Sequence, residues 1–222
     1  LEYSSPNVKK DESSYLCKVI DVARRKARVP YGINILPLDI YLDSILAGAY
    51  EANFVHIDTF VDTVKTDYES CLVLHPHSKG IRHDLRNHFI MTNVQTKHYK
   101  TLPPNKKLET SVRQAVEAGA DAIVVTGTVT GVAPDIGKIK RVRLAACSCP
   151  VLVGSGASEE NLPAIMPLVD GIIVGSSLKH DGIVENSVEY ARGQRFMDVV
   201  YKLRGFLFKP FAILYENRLN LQ

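Results

Sequence analysis

Short apolar segments alternate with amphipathic segments along most of this 222-residue sequence. They recur at spacings of roughly 25 to 35 residues, which is typical of repeated βα units that build a parallel sheet. The segments predicted to be strands are 31–36, 54–60, 88–94, 122–126, 151–153 and 171–174. A closed barrel needs eight such strands, and an open doubly wound sheet is the alternative arrangement of the same units.

The glycine pattern distinguishes these two arrangements. A dinucleotide-binding doubly wound sheet places Gly-x-Gly-x-x-Gly after its first strand, and no such motif follows residues 31–36. We therefore predict an α/β fold of the (β/α)8 TIM-barrel type that is incomplete at its N-terminus, with about six recognisable strands. Residues 1–222 are expected to form a single domain, with 205–222 as an apolar, helical C-terminal tail.

Caps and breakers predict where helices begin and end. A helix over residues 106–118 is expected to end at Gly119, and Asp135 is expected to begin the next helix. Ser158 is predicted to cap a helix whose first turn is acidic. Residues 62–87 give the weakest pattern, from which we predict a helix over 64–74.

Composition excludes several classes of partner. The net charge is only +3 and the basic residues are scattered, so we expect no nucleic-acid binding. No apolar run approaches the ~20 residues of a membrane span, so we expect no membrane insertion.

The four cysteines lack disulfide spacing, which favours a reducing compartment. We expect a cytoplasmic protein. The alternative location is a mitochondrial or plastid matrix, reached after removal of a leader. A homo-oligomer is one candidate state of assembly.

Residues 151–179 are predicted to form a βαβ unit whose two strands both end in glycine and serine. The first strand is followed by Gly154-Ser155-Gly156 and the second by Gly175-Ser176-Ser177. Adjacent parallel strands that end this way place backbone N–H groups side by side, with no Cβ to block an anion. We interpret these turns as a phosphate site, with Lys179 as a clamp on the phosphate. The structural alternative is a pair of tight βα turns.

Polar residues at the ends of the other strands are candidates for chemistry, since catalytic groups in a barrel lie at the carboxyl ends of its strands. Asp58 follows His56 by two residues, so both side chains point to one face of the strand. That face is the barrel interior if the Phe54 side chain does not point there. A desolvated carboxylate there suits a general base. Alternatively, Asp58 only satisfies neighbouring hydroxyl groups.

Further candidates follow the next two strands. Lys97 is expected to act as an electrophile or as a Schiff-base amine, unless it is a solvated loop lysine. His98 either orients substrate hydroxyls or is merely exposed. Thr126 and Gly127 either let the backbone approach the ligand or form a tight turn.

We expect no metal and no cofactor. The sets that come closest to a metal site are Asp39, Asp58 and His98, or His75 with His77. Neither set has the spacing of a standard group of metal ligands. Asp181, close after the second glycine turn, is a strand-end candidate that is expected to cap the following helix.

From Tyr31 onward the sequence resembles the BtpA family, which includes SgcQ-type proteins and is similar to ribulose-phosphate-binding barrels. The segments that carry the resemblance are YGINILPLD, FVHIDTFVDTVKTD, MTNVQTKHYKTL, DAIVVTGTVTGVAPD, PVLVGSGASEEN and DGIIVGSSLKHDG. In the family two further βα units precede these segments, so the resemblance also implies missing N-terminal strands. Some members are linked to photosystem I biogenesis in cyanobacteria, and others resemble sugar-phosphate enzymes.

The sequence departs from the family pattern in the third predicted strand. The family commonly has an acidic residue and a histidine where this chain has Asn93 and Gln95, and often an asparagine where it has Asp58. The resemblance therefore implies reduced catalysis unless Asp58 has taken over the role of the base. Lys97 and His98 match the family.

These observations lead to two expectations of function. The first is a phosphate-binding barrel that acts on a phosphorylated small molecule, such as a sugar phosphate, as an isomerase, epimerase or lyase. In it Asp58 moves a proton and Asn93 or Lys97 stabilises negative charge on a substrate oxygen. The second is a non-enzymatic assembly or stability factor that uses the barrel as a binding scaffold, supported by the apolar residues 206–214.

Overall fold

The computed structural model describes residues 10–35, 40–66, 73–74, 78–97, 99–127 and 132–205. The helices in these ranges are α1 Lys10–Lys26, α2 Ile40–Ala49, α3 Ser78–Asp84, α4 Leu108–Glu117, α5 Ile136–Ala146, α6 Leu162–Ile165 and α7 Tyr190–Arg204. The strands are β1 Gly32–Ile33, β2 Phe54–Ile57, β3 Thr63–Thr66, β4 Val73–Leu74, β5 Phe89–Asn93, β6 Tyr99–Leu102, β7 Ala122–Val125, β8 Val151–Val153 and β9 Gly171–Ile172. Short 3-10 turns occupy Met166–Leu168, Ser176–Leu178 and His180–Gly182. The predicted tail, apart from Gly205, lies outside the described residues.

Six of the strands form one curled parallel sheet in the order β1-β2-β5-β7-β8-β9. The order of the strands in this sheet follows their order in the chain. A doubly wound sheet would reverse its strand order at a switch point, and within the described residues no such reversal occurs. The prediction of an incomplete (β/α)8-type fold is therefore confirmed, and each of the predicted strands is present.

In the described ranges, helices cover one face of the parallel sheet. Val55 and Ile57 of β2 are fully buried in the main core, together with apolar residues of α2, α4 and α5. The opposite, concave face carries a smaller cluster made by strand residues alone, among them Met91 and Val124. Phe54 belongs to this inner cluster, so the condition on which the sequence placed Asp58 in the barrel interior, that Phe54 does not point there, is not met. Side chains two residues apart in a strand share a face, so Phe54 lies on the same face as His56 and Asp58.

The strands β3, β4 and β6 form a second, antiparallel sheet in the order β4-β3-β6. Because β3 follows β2 and β6 follows β5, this sheet lies beyond the carboxyl ends of those two strands. The prediction of a helix over residues 64–74 is wrong, since Thr63–Thr66 and Val73–Leu74 are strands. β-Branched residues occupy three of the four positions of β3, and such residues favour strands over helices.

Two predicted helix boundaries are confirmed. The Asp135 side chain caps α5 by accepting the Lys138 backbone N–H at 3.0 Å. Helix α4 ends at Glu117, and Gly119 has a φ of +92°, a left-handed conformation that favours glycine.

Two other helix predictions are wrong. The helix expected from Ser158 is a single turn, α6, followed by a 3-10 turn. Pro163 and Pro167 each lie near the start of one of these pieces, because proline lacks an N–H and is tolerated only in a first turn. Asp181 does not cap the last helix, since it lies in a 3-10 turn with a φ of +56° and Glu189 precedes α7.

None of the helices in the described part of the chain has both the length and the apolar character needed to cross a membrane.

Candidate functional site

The candidate site lies at the carboxyl edge of the parallel sheet, where Asp58 follows β2 and Asn93 ends β5. The Asn93 amide donates from Nδ2 to Oδ1 of Asp58 at 3.0 Å. The hydroxyl of Tyr99, on β6 of the antiparallel sheet, donates to Oδ2 of Asp58 at 3.0 Å. Both carboxylate oxygens therefore accept a hydrogen bond, which fixes the orientation of Asp58 in the site.

His56 completes this cluster on the inner face. Its Nε2 lies 3.1 Å from Oδ1 of Asn93. The Asp58 carboxylate can only accept, so it orients the Asn93 amide with Nδ2 towards itself and Oδ1 towards the histidine. Since Oδ1 also only accepts, Nε2 of His56 carries the hydrogen. The carboxylate thus sets the tautomer of His56 through the amide of Asn93.

Lys97 lies in the loop between β5 and β6 and is half-buried. Burial lowers the pKa of its amine, while the negative charge of Asp58 acts in the opposite direction. The structure therefore brings together Asp58, Asn93 and Lys97, three of the four residues for which sequence predicted catalysis. The fourth, His98, lies outside the described residues, as do Asp39, His75 and His77. In the ranges that the structure covers, no group of three His, Cys, Asp or Glu residues is placed to hold a metal ion.

A buried polar network supports the loop that carries Lys97. Gln95 has a φ of +43° and donates from Nε2 to the Lys106 carbonyl oxygen at 2.9 Å. The Lys106 ammonium pairs with Asp62 at 2.6 Å, and Ser111 of α4 donates to the same carboxylate at 2.8 Å. This network connects the loop after β5 to the antiparallel sheet and to α4, which restricts its motion.

The turn after β7 contains Thr126 and Gly127. The hydroxyls of Thr96 and Thr126 share a hydrogen bond of 3.0 Å, and both residues are buried. The Gly127 N–H donates to Oγ of Ser155 at 3.0 Å. A Cβ at position 127 would lie 2.0 Å from the Val132 carbonyl oxygen, so close backbone packing accounts for the glycine here.

The turn after β8 contains Gly154, Ser155 and Gly156. A Cβ at Gly154 would lie 2.5 Å from a methyl group of Val124, and one at Gly156 would lie 2.0 Å from the Ala133 nitrogen. Gly156 also has a φ of +68°. The Ser155 hydroxyl accepts from Gly127 and donates to the Val132 carbonyl at 3.2 Å. Internal packing therefore explains both glycines, and the serine hydroxyl binds within the protein.

The turn after β9 contains Gly175 and Ser176. It lies against the β8 turn, because the Ser177 hydroxyl donates to the Ala157 carbonyl oxygen at 2.7 Å. A Cβ at Gly175 would meet no heavy atom within 4 Å, so packing does not account for this glycine. The exposed Lys179 ammonium donates to the Val184 carbonyl within its own loop.

Sequence reasoning missed two residues of the site, Tyr99 and Lys138. Tyr99 reaches Asp58 from β6, a strand that the sequence pattern does not predict. Lys138, in the first turn of α5, donates from Nζ to the Thr126 carbonyl oxygen at 2.9 Å and to that of Gln95 at 3.4 Å. Burial lowers the pKa of the Lys138 amine, and nearby Arg141 lowers it further. The sequence carries no signal for either residue, because YKTL has no regular apolar-polar alternation and Lys138 is one of several basic residues in its helix.

Comparisons with known proteins show which sequences and structures this chain resembles. The chain is 29% identical over 201 residues to the photosystem I biogenesis protein BtpA of Synechocystis, covering 89% of this chain and 68% of that protein. It is 31% identical over 198 residues to an uncharacterised protein of Thermococcus kodakarensis, covering 85% of this chain and 72% of that one.

Among solved structures, orotidine 5'-phosphate decarboxylase from Pyrococcus horikoshii is similar, with a TM-score of 0.57 at 15% identity, covering 85% of this chain and 81% of that chain. That likeness shows a TIM-barrel fold. The model of the BtpA family matches residues 3–202, which is most of the sequence. The chain therefore belongs to the BtpA family.

Proposed function

We propose that this chain binds a phosphorylated small molecule at the carboxyl edge of its parallel sheet and converts it as an isomerase, epimerase or lyase. The observation that carries the proposal is the contact between the turns after β8 and β9, which are joined by Ser177 and Ala157. Within the described residues, the backbone N–H groups of Gly156, Gly175 and Ser176 donate to no protein acceptor. Several N–H groups at one strand edge suit the oxygens of a phosphate.

The phosphate contacts are divided unequally between the turns. The N–H of Gly154 donates to the Val125 carbonyl oxygen at 2.8 Å, and the hydroxyl of Ser155 holds the β7 turn in place. These two residues therefore shape the site, while Gly156, Gly175 and Ser176 supply donors to the phosphate. The structural neighbour from Pyrococcus horikoshii acts, by its name, on a phosphorylated compound, which supports a phosphorylated ligand for a barrel of this fold.

The chemistry is assigned to the cluster around Asp58. Its ionised carboxylate takes a proton from a carbon next to a substrate carbonyl, and the electron pair moves to the carbonyl oxygen. Lys97 or the Asn93 amide stabilises the negative charge that develops on that oxygen. An isomerase then returns the proton to the former carbonyl carbon, while the hydroxyl proton of the first carbon passes to the former carbonyl oxygen and a new carbonyl group forms at the first carbon.

Thermal unfolding in the presence of phosphorylated ligands tests this proposal. Inorganic phosphate and a panel of sugar and nucleotide phosphates are added to the purified chain, and a compound at 100 times its Kd is expected to add about 2.7 kcal/mol to the free energy of unfolding. The Gly175→Asp variant is expected to fold, since position 175 has open space, and to lose the shift because its carboxylate repels the phosphate.

Gly193→Asp is the matched control for that variant. Gly193 lies in α7 and also has open space around it, and its replacement by Asp adds the same charge. The response of the Gly193→Asp variant to phosphate compounds should therefore equal that of the unsubstituted chain. An unchanged midpoint with every phosphate compound contradicts the proposal. An unchanged affinity in Gly175→Asp contradicts the assignment of the site.

A second candidate function is a non-enzymatic assembly or stability factor. Helix α1 exposes Tyr15, Val19 and Val22 at spacings of four and three residues, with 71%, 46% and 47% of their surfaces accessible. Residues with this spacing lie on one helix face, and an exposed apolar face favours contact with another protein. The Synechocystis relative carries the name of a photosystem I biogenesis protein. This candidate predicts a cooperative unfolding transition that no phosphate compound shifts.

A further inference from the structure

Lys138 is a half-buried cation to which the proposed function assigns no role. Its ammonium donates to the carbonyl oxygens of Thr126 and Gln95, at 2.9 Å and 3.4 Å. These residues follow β7 and β5, so Lys138 reaches the same sheet edge that carries Asp58. A lysine ammonium has three N–H donors, so one of them is left for a further acceptor.

No negative charge in the described ranges offsets this cation. None of the carboxylates there forms an ion pair with the Lys138 ammonium, and the charge that acts on its pKa is the like charge of Arg141. Lys138 also lies in the first turn of α5, where the helix dipole disfavours a cation. Asp135 interacts with the backbone N–H of Lys138 as a helix cap. A half-buried and uncompensated lysine destabilises the fold, and a bound anion would relieve this cost.

One peptide group connects Lys138 to the β8 turn. The carbonyl oxygen of Thr126 accepts from Lys138, and the N–H of the same peptide, which belongs to Gly127, donates to Ser155 at 3.0 Å. In a trans peptide the oxygen and the hydrogen point in opposite directions. Lys138 and the β8 turn therefore lie on opposite sides of this peptide, and the lysine is separate from the donors of Gly156.

We propose that Lys138 binds a second anionic group of the ligand, so that the compound recognised at this edge carries two anions. The inference rests on the proposed phosphate site at the turns after β8 and β9. The phosphate occupies that site, and the second group, either another phosphate or a carboxylate, accepts the third N–H of Lys138. A charge-assisted hydrogen bond of this kind is about twice as strong as a neutral one.

Binding of three phosphorylated six-carbon sugar derivatives tests the inference. Fructose 6-phosphate carries one anionic group, fructose 1,6-bisphosphate carries two phosphates, and 6-phosphogluconate carries a phosphate and a carboxylate. Calorimetry on the full chain is expected to give at least about tenfold tighter binding for one of the two-anion probes than for fructose 6-phosphate. Comparison of fructose 1,6-bisphosphate with 6-phosphogluconate then identifies the second group as a phosphate or a carboxylate.

The Lys138→Gln variant is expected to lose that preference and to keep its affinity for fructose 6-phosphate within about twofold. Lys140→Gln, which removes an exposed lysine from the same helix, is the matched control and should keep the preference. Without ligand, Lys138→Gln should unfold at the same or a higher temperature than the unsubstituted chain, because an uncompensated charge has been removed.

Two results overturn the inference while the proposed function stands. In one, the unsubstituted chain binds all three probes equally. In the other, Lys138→Gln weakens all three equally and lowers the unfolding midpoint, which is the signature of a purely structural lysine. If none of the probes or the phosphate panel binds, the proposed function fails and the inference fails with it.

Discussion

The hydroxyl of Tyr99 donates a hydrogen bond of 3.0 Å to Oδ2 of Asp58, and this contact joins the antiparallel sheet to the parallel one. Asp58 follows β2, whereas Tyr99 lies on β6. Because Asn93 of β5 occupies the other carboxylate oxygen, Asp58 is held by residues of both sheets. The position of the candidate base therefore depends on how the two sheets pack.

Removal of this hydrogen bond should weaken the fold modestly. Tyr99→Phe keeps the ring and deletes the hydroxyl, so the free energy of unfolding should fall by about 0.5–3 kcal/mol, the range for a hydrogen bond to a charged or neutral group. Denaturation in urea measures the change. Tyr201→Phe, at a tyrosine with half of its surface exposed on α7, serves as the control and should leave stability unchanged. Equal stability of the two variants would contradict the role given to Tyr99.

The amine of Lys97 should titrate at a lower pH than that of an exposed lysine. Burial lowers its pKa, and the charge of Asp58 partly offsets this effect. Asp58→Asn removes the offsetting charge, so it should lower the pKa of Lys97 further. The pH midpoint of reductive methylation, read by mass spectrometry for Lys97 and for exposed Lys140, measures both effects. An unchanged pH midpoint for Lys97 in the Asp58→Asn variant would show that the two groups are not electrostatically linked.

The ion pair between Glu109 and Arg141 should make stability depend on pH. The hydrogen bond from the Arg141 guanidinium, 2.6 Å away, together with a smaller contribution from a backbone hydrogen bond, lowers the pKa of Glu109 from 4.5 to about 2. A carboxyl group whose pKa is depressed in the folded state stabilises that state above its unfolded pKa, and loses the effect as the pH falls towards the folded value. The stabilisation is therefore complete above about pH 4.5 and is lost between about pH 4.5 and 2.

Thermal midpoints of Glu109→Gln and of the unsubstituted chain test this dependence. The variant should unfold at a lower temperature at pH 6, and the two midpoints should converge as the pH falls towards 2. Added salt should reduce the difference, because the pair is exposed to solvent. Glu117→Gln, at an exposed position of the same helix, is the control. A constant difference across this pH range would be incompatible with the ion pair as its cause.

Two glycines of the candidate site should differ sharply in their tolerance of a methyl group. At Gly156 a Cβ would meet the Ala133 backbone at 2.0 Å and the φ is +68°, so Gly156→Ala should destabilise the fold by about 3 kcal/mol or more. At Gly175 a Cβ meets nothing within 4 Å, so Gly175→Ala should change stability by less than about 1 kcal/mol. Urea denaturation of both variants gives the comparison, and similar losses in the two would refute it.

The parallel sheet was predictable because its central strands, β5, β7 and β8, are largely buried on both faces. Such strands appear as short continuous apolar runs, as in AIVV of β7, whose four residues are all buried. The strand β3 was missed because its residues, TVKT, alternate between buried and exposed positions over only four residues. So short an alternation does not distinguish a strand from a helical turn in a segment with few apolar residues.

The site itself was predictable only where chain position determines it. Asp58 and Asn93 could be placed because a residue at the carboxyl end of a barrel strand has a known location. Tyr99 and Lys138 reach the site from β6 and from α5, and only the packing of those elements determines which polar atoms their side chains meet. The prediction that Lys179 clamps the phosphate stays untested, although its ammonium donates to Val184 in the structure.

The parallel sheet keeps its own strands in chain order, so that neighbours in the sheet are consecutive strands of that sheet, and this order has a consequence for how the protein folds. Every strand pairing in that sheet closes one βα unit onto the next, so the sheet can grow one unit at a time from either side, like a repeat protein. Disruption of one strand should therefore be felt most by its two neighbours. Hydrogen exchange would show this as protection that fades stepwise from β7 towards β1 and β9.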